Sequence, residues 1–285
     1  MAFHTVLSAS IQGLHVEMVH VEADVSNGLP VFHMVGYLSS EVKEASERVR
    51  TAIRNAGIQI PARKVVVNLA PATVRKKGAS FDLPIALAVM AALGEIEGEK
   101  LERTLVIGEL GLDGRVQEVP GILPMLLEAR KAGCRACILP IRNAPEGALV
   151  DGIRILGVRH LKEACDYLNG EVALKEEVRQ DEKMDGGRAE LSVDFGDIQG
   201  QEAVKRAAEV AVAGGHNLLM VGPPGSGKSM LAKRIPTILP PPTPEESMEI
   251  TKIYSVLGMV DKDHPLITGR PVRSVHHTVT KAALI

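Results

Sequence analysis

The sequence predicts an α/β protein in two parts: an N-terminal α+β domain, then the first half of an α/β domain built on a phosphate-binding loop. Three observations predict it. Residues 217–239 read in succession as apolar strand, glycine-rich loop and helix. Short aliphatic runs alternate with helical periodicity through residues 1–168. The chain of 285 residues is 45% hydrophobic but 2% aromatic with no Trp, so its core is aliphatic, as suits Val-, Ile-, Leu- and Ala-rich strands and helices.

In the first part, Val6–Ser10 and Val16–Val25 read as strands joined by a turn at Gly13. Asn27-Gly28-Leu29-Pro30 is a turn signal, and Phe32–Val35 a third strand. Glu41–Ala56 reads as an amphipathic helix, because Val42, Ala45, Val49, Ala52, Ile53 and Ala56 recur at helical spacing. Ser39 or Ser40 is placed to cap it and Gly57 to end it. Val65–Leu69 is a strand. Phe81–Leu93 is a helix that tolerates Pro84 in its first turn. Leu105–Glu109 is a strand, Leu112-Asp113-Gly114 a turn, Leu123–Ala132 a helix and Cys137–Leu139 a strand. The charged stretch Gly170–Arg188 reads as a linker or an exposed helix that lets two domains move, which divides the chain into 1–168, a linker at 169–190, and 191–285.

In the second part, Glu202–Ala213 has a largely apolar helix face and ends at Gly214-Gly215. Asn217–Val221 reads as a buried strand. The next eight residues, Gly222, Pro223, Pro224, Gly225, Ser226, Gly227, Lys228 and Ser229, fit the pattern G-x-x-x-x-G-K-[ST] without a mismatch. The chemistry needs these residue types. Gly222, Gly225 and Gly227 admit positive φ and let backbone N–H groups close on a phosphate. Lys228 supplies a point charge for the β and γ phosphates of ATP, and the Ser229 hydroxyl is a ligand for Mg²⁺. Met230–Leu239 reads as the following helix, with Pro236 shortening or kinking it and Pro240–Pro242 ending it.

Three longer stretches widen the match. GHNLLMVGPPGSGKSMLAKRIPTILPP at Gly215–Pro241, TKIYSVLG at Thr251–Gly258 and RPVRSVHHT at Arg270–Thr278 resemble the magnesium-chelatase-like AAA+ family, in particular its YifB/ComM branch. Val272 and Val275 stand where that family usually has Phe and Pro. The resemblance implies ATP and Mg²⁺ as cofactors, a homo-oligomeric ring (a hexamer), and ATP hydrolysis by a complete chain. In the ComM branch it implies DNA branch migration during natural transformation. The second carboxylate motif of such ATPases is not found after Ser229. Asp261 and Asp263 follow only Gly258-Met259-Val260, and His264-Pro265 breaks any strand. Residues 191–285 are therefore expected to be an incomplete ATPase domain, binding ATP weakly without turning it over.

The first part also resembles a known pattern. KKGASFDLPIALAVM, then GELGLDGRVQEVPGILPMLLEARKAG, then ILP resembles the proteolytic domain of Lon, a fold shared with a small-subunit ribosomal protein and with the N-terminal domain of the YifB/ComM family. Ser80 falls on Lon's nucleophile. Leu123 falls on the lysine of its Ser–Lys dyad, and leucine can neither take a proton nor tune a pKa. The domain is expected to be catalytically inactive, with Ser80 as the N-cap of the helix at Phe81–Leu93 and Asp82 as a favourable first-turn carboxylate. A Lon-like domain also counts against a chelatase subunit, one of three rival classes beside an ATP-dependent protease and a non-hydrolysing nucleotide-binding fragment.

Other features exclude more than they assign. A net charge of −2 gives no global footprint for nucleic acid, although a ring motor can hold DNA by local basic loops. No 18-residue apolar run and no signal pattern is present, so the protein is expected in the cytoplasm, away from membranes. Cys134 and Cys137 form a C-x-x-C without the further ligands zinc needs, and with Cys165 they read as core or surface cysteines. Arg75-Lys76-Lys77 reads as a solvated basic loop, with phosphate contact as the alternative. His276-His277 suits few metal geometries.

Overall fold

The computed structural model describes residues 2–179 and 193–273. Within these, residues 2–179 group with 249–266 into one compact unit, and 193–248 with 267–273 into another.

The first unit is built on a mixed sheet. Its elements in chain order are β1 (Ala2–Gln12), β2 (His15–Ser26), β3 (Val31–Val35), α1 (Ser40–Asn55), β4 (Lys64–Ala70), α2 (Asp82–Leu93), β5 (Thr104–Val106), β6 (Glu109–Leu110), β7 (Val116–Gln117), α3 (Ile122–Lys131), β8 (Ala136–Pro140), α4 (Ala144–Gly147), β9 (Arg154–Val158), α5 (Leu161–Leu168) and β10 (Glu176–Glu177). Among the described residues, one sheet takes the order β10-β9-β8-β5-β1-β2-β4-β3. β1 and β2 form a long antiparallel hairpin, in register from Ala2↔Val25 to Gln12↔His15 around Gly13, whose left-handed φ of 65° favours glycine. β2 continues antiparallel to β4, and β3 lies parallel to β4. On the other side β1, β5, β8 and β9 run parallel.

The helices cover the sheet according to their patterning. α1 buries Val42, Ala45, Val49, Ala52 and Ile53, the stripe its periodicity marks. α2 has no polar face beyond its first turn; Leu83 through Met90 are wholly buried, so it runs through the core. Asp82, at its start, is equally buried. Arg48 of α1 answers it with two hydrogen bonds, Nε to Oδ2 at 2.8 Å and Nη2 to Oδ1 at 2.9 Å, and the Leu110 amide adds a third at 3.3 Å. Burial pushes the Asp82 carboxyl above its ordinary range; the Arg48 guanidinium and the Leu110 amide pull against it.

Several expectations change. Ser80 is not the cap of α2: Phe81 occupies that position with no side-chain cap bond, and Ser80 instead accepts the Gly108 amide on its carbonyl at 3.0 Å. Asp82 is more than a first-turn charge, since it is the buried half of an ion pair with the partly exposed Arg48. The strand expected at Leu105–Glu109 divides at Gly108, where a Cβ would lie 3.0 Å from Val116 Cγ1; β5 stays in the large sheet and β6 pairs with β7. The basic loop is not uniformly solvated. Arg75 and Lys77 are exposed, but Lys76 has no exposed surface, and its ammonium donates to the Pro71 carbonyl.

The unit also takes in residues far along the chain. α8 spans Pro244–Val256. Ser255, near its end, donates its hydroxyl to the buried carboxylate of Glu146 in α4, and the Gly121 amide donates to the Ser255 carbonyl at 2.9 Å. Glu146 also accepts the Leu123 amide at 2.9 Å. Lys262 pairs with Glu118 at 3.2 Å. Burial raises the Glu146 carboxyl above its ordinary range despite these donors.

The second unit is smaller. A 3-10 turn at Phe195–Asp197, α6 (Glu202–Ala213), α7 (Lys228–Arg234) and a 3-10 turn at Ile235–Ile238 gather around Phe195, Ile198, Ala208 and Leu231. Asp194 and Asp197 form a capping box on the first turn, and the Phe195 amide donates to Thr237 Oγ1 at 3.1 Å. Pro236 acts as its chemistry predicts, since α7 ends at Arg234 and tightens into a 3-10 turn. The expected strand at Asn217–Val221 is not one: the segment joins no ladder among the described residues, and Leu219 and Val221 are exposed. A strand exists only where a neighbour supplies its hydrogen bonds, so an apolar run alone does not make one.

Two outcomes follow. Arg48→Ala strands the buried Asp82 carboxylate and is expected to cost about 3 kcal/mol in chemical denaturation; a loss below about 1 kcal/mol contradicts the pairing. Glu146 holds its proton more tightly folded than unfolded, so its contribution is complete below its unfolded pKa and is lost as pH rises through the folded value. Denaturation between pH 4 and pH 8 is expected to show Glu146→Gln gaining on the parent protein as pH rises. Parallel curves contradict it.

Candidate functional site

The glycine loop lies between the irregular segment ending at Val221 and α7. Gly225 and Gly227 take left-handed φ of 80° and 83°, and no atom lies within 4 Å of where a Cβ would stand on either. Conformation therefore demands glycine there, and the loop has open space beside it. Gly222 is glycine for another reason than expected. Its φ is not left-handed; a Cβ on it would meet Ser226 Oγ at 3.2 Å and Lys228 Nζ at 3.9 Å.

Lys228 begins α7 and folds back across the loop. Its ammonium donates to the Gly222 carbonyl at 2.7 Å, the Pro223 carbonyl at 2.7 Å and Ser226 Oγ at 3.0 Å. The side chain is half-buried, and its three donors are met by neutral oxygens of the loop. Ser229 is exposed in the first turn of α7, and Pro223, Pro224 and Gly225 are exposed on the loop. The structure thus brings Gly222, Pro223, Ser226 and Lys228 into one hydrogen-bonded cluster, with Ser229 at its rim.

Gln201 is a residue that motif reasoning missed. It caps α6 in a left-handed conformation (φ 59°) and donates its amide to the Ser226 carbonyl at 3.2 Å. The adjacent Gly200 is also left-handed (φ 66°). Gly200 is the one legible part of that turn; the bond from Gln201 to Ser226 joins residues 25 apart and leaves no local mark in the sequence.

Farther along, Arg270 is structural in its contacts. It donates to the Pro240 carbonyl at 2.7 Å and pairs with Glu246 at 2.7 Å, while Glu246 also accepts the Thr243 amide at 2.9 Å. The Thr243 amide, then the Arg270 guanidinium, hold the Glu246 carboxyl below its ordinary range. Asp261 accepts the amides of Asp263 and His264 in a turn, which likewise lowers its carboxyl. His276 and His277 lie outside the described residues, as does the linker from residue 180 to 190. Cys134, Cys137 and Cys165 are buried free thiols. Burial pushes Cys165 up to about 12 and Cys137 well above the ordinary thiol range, the reverse of what a reactive thiol needs. Leu123 is wholly buried in α3 and brings no acid–base group towards Ser80.

Comparison with known proteins accounts for both parts. Residues 21–143 match the family model "Subunit ChlI of Mg-chelatase", and residues 194–285 match "Magnesium chelatase, subunit ChlI". The uncharacterized protein YifB of Salmonella typhimurium is 41% identical over 273 residues, covering 96% of this chain and 53% of its own length. The competence protein ComM of Haemophilus influenzae is 37% identical over 288 residues, covering 100% and 56%. The chain belongs to the magnesium-chelatase-like YifB/ComM family. Lon protease of Mycolicibacterium smegmatis is 27% identical over 169 residues, 56% of this chain and 21% of Lon, in keeping with a Lon-like first part. One expectation is corrected. The Lon-like part does not count against a chelatase subunit, because a model bearing that subunit's name matches within it. The chain spans about half the length of the YifB and ComM relatives. Among the described residues, no helix is long and apolar enough to cross a membrane.

Proposed function

We propose that this protein is the nucleotide-binding portion of a cytoplasmic, ATP-driven DNA motor of the ComM type, assembled from identical subunits as a ring, a hexamer when complete. In this reading residues 1–168 are a catalytically silent Lon-like domain, 169–190 a linker, and 191–285 the start of the ATPase domain. The observation that carries it is the Lys228 ammonium lying on Gly222, Pro223 and Ser226 in a loop with open space beside its left-handed glycines.

These residues fit a nucleotide triphosphate. Lys228 holds a charge-bearing donor among neutral carbonyls, and phosphate oxygens are stronger acceptors for it. Gly225 and Gly227 leave main-chain amides accessible, and the Ser229 hydroxyl is at hand for Mg²⁺. When bound, MgATP supplies a phosphoanhydride whose cleavage releases the energy for movement. The chain's own part is to hold and orient it. Gln201 ties Ser226 to the start of α6. DNA as the object of the motor is supported by the name of the competence relative. Leu123 supports a silent first domain.

The test is ATP turnover by the whole protein with and without forked or single-stranded DNA. Turnover is expected to rise with DNA and to disappear in Lys228→Ala. Turnover indifferent to DNA contradicts the motor reading and favours a protein-remodelling or chelatase-type activity.

A further inference from the structure

The loop that carries Arg75, Lys76 and Lys77 sorts its three cations. Lys76 is anchored: its amide donates to the Tyr37 carbonyl at 2.9 Å, its carbonyl accepts the Ser39 amide at 3.0 Å, and its side chain is buried against the Pro71 carbonyl. In extended backbone, neighbouring side chains point to opposite sides, so burying Lys76 turns Arg75 and Lys77 outward. Both are exposed. The Arg75 carbonyl is tied to β1 by Ser10 Oγ and Gln12 Nε2, each at 3.4 Å. The loop therefore presents two cations from a fixed backbone.

An aromatic ring stands beside them. Tyr37 is 54% exposed, and the Arg75 guanidinium lies 5.9 Å from its ring centroid. The chain has only 3 Tyr, 4 Phe and no Trp, so an aromatic is spent on solvent where the core has few to fill it. Glu41 feels the charges of both Arg75 and Lys77.

We propose that Tyr37, Arg75 and Lys77 form a contact site for single-stranded nucleic acid, the ring stacking a base and the two cations holding neighbouring phosphates. An aromatic face with paired cations on a preorganised loop is the arrangement that binds single strands without reading sequence. The overall charge of −2 does not oppose it, because at physiological salt attraction acts over about 8 Å. The inference rests on the DNA reading above and names where the strand is held.

The experiment is fluorescence anisotropy of a labelled oligo-dT with the full chain at several salt concentrations. The proteins are the parent, Tyr37→Ala, Tyr37→Phe, and Arg75→Gln with Lys77→Gln, each checked for an unchanged melting temperature. Tyr37→Ala is expected to weaken binding about tenfold, within the range for loss of one stacked base, with Tyr37→Phe close to the parent. The double variant is expected to weaken binding and to flatten the log–log salt slope by about 1.4, two phosphates' worth on a single strand. Unchanged affinity and slope in these variants, with the parent still binding, overturn the site and leave the DNA reading standing. A parent that binds MgATP but no oligonucleotide overturns the DNA reading and the site with it.

Discussion

Asp82 lies without exposed surface at the head of α2, its two oxygens on the Arg48 guanidinium and one of them also on the Leu110 amide. The rest of the first unit depends on this pairing. α2 is apolar all round and can exist only inside the molecule, so the one charge at its start must be met there. Meeting it fixes α1, which carries Arg48, and sets β6 against the start of α2. The amide of Leu83 and the carbonyl of Ser80 then close on Gly108, which breaks the strand after β5. The stretch from Ser80 to Asp82 is thus a structural joint between α2, β6 and the residues after β5.

The second unit is organised by a different economy. Its core is small, and the loop is shaped less by packing than by hydrogen bonds around Lys228. A lysine that satisfies itself on neutral loop oxygens keeps the loop closed at little cost and can exchange those partners for charged ones. Gln201 extends that arrangement to α6. In the first unit, Ser255 and the buried Glu146 join the end of α8 to α4 and the start of α3, so a residue of the family-like run Thr251–Gly258 serves as a fold contact.

Much of this was legible in the residues. The α1 stripe, the β1–β2 turn at Gly13, the α2 run and the effect of Pro236 follow from spacing and backbone chemistry. The reasons for the failures are equally physical. β9, α5 and β10 escaped because short buried strands and an eight-residue helix give little periodicity. α8 escaped because the face it buries is polar, Ser247, Thr251 and Ser255 at helical spacing, so no apolar stripe marks it in the sequence. Asn217–Val221 looked like a strand by composition, yet pairing is a property of neighbours. Lys76 looked solvated because burial of a lysine beside two exposed cations leaves no local trace. At the loop the residue types were legible, but Gly222's role was not: steric approach of Ser226 and Lys228 is a matter of three dimensions.

The proposed motor depends on the glycine loop being a nucleotide site. Hydrogen–deuterium exchange of the whole protein, read at the amides of Gly222 and Gly225 to Ser229 with and without MgATP, is the test. Protection of those amides by MgATP in the parent, absent in Lys228→Ala, is expected. Exchange at the loop that is untouched by MgATP, or equally slowed without the Lys228 ammonium, would contradict it.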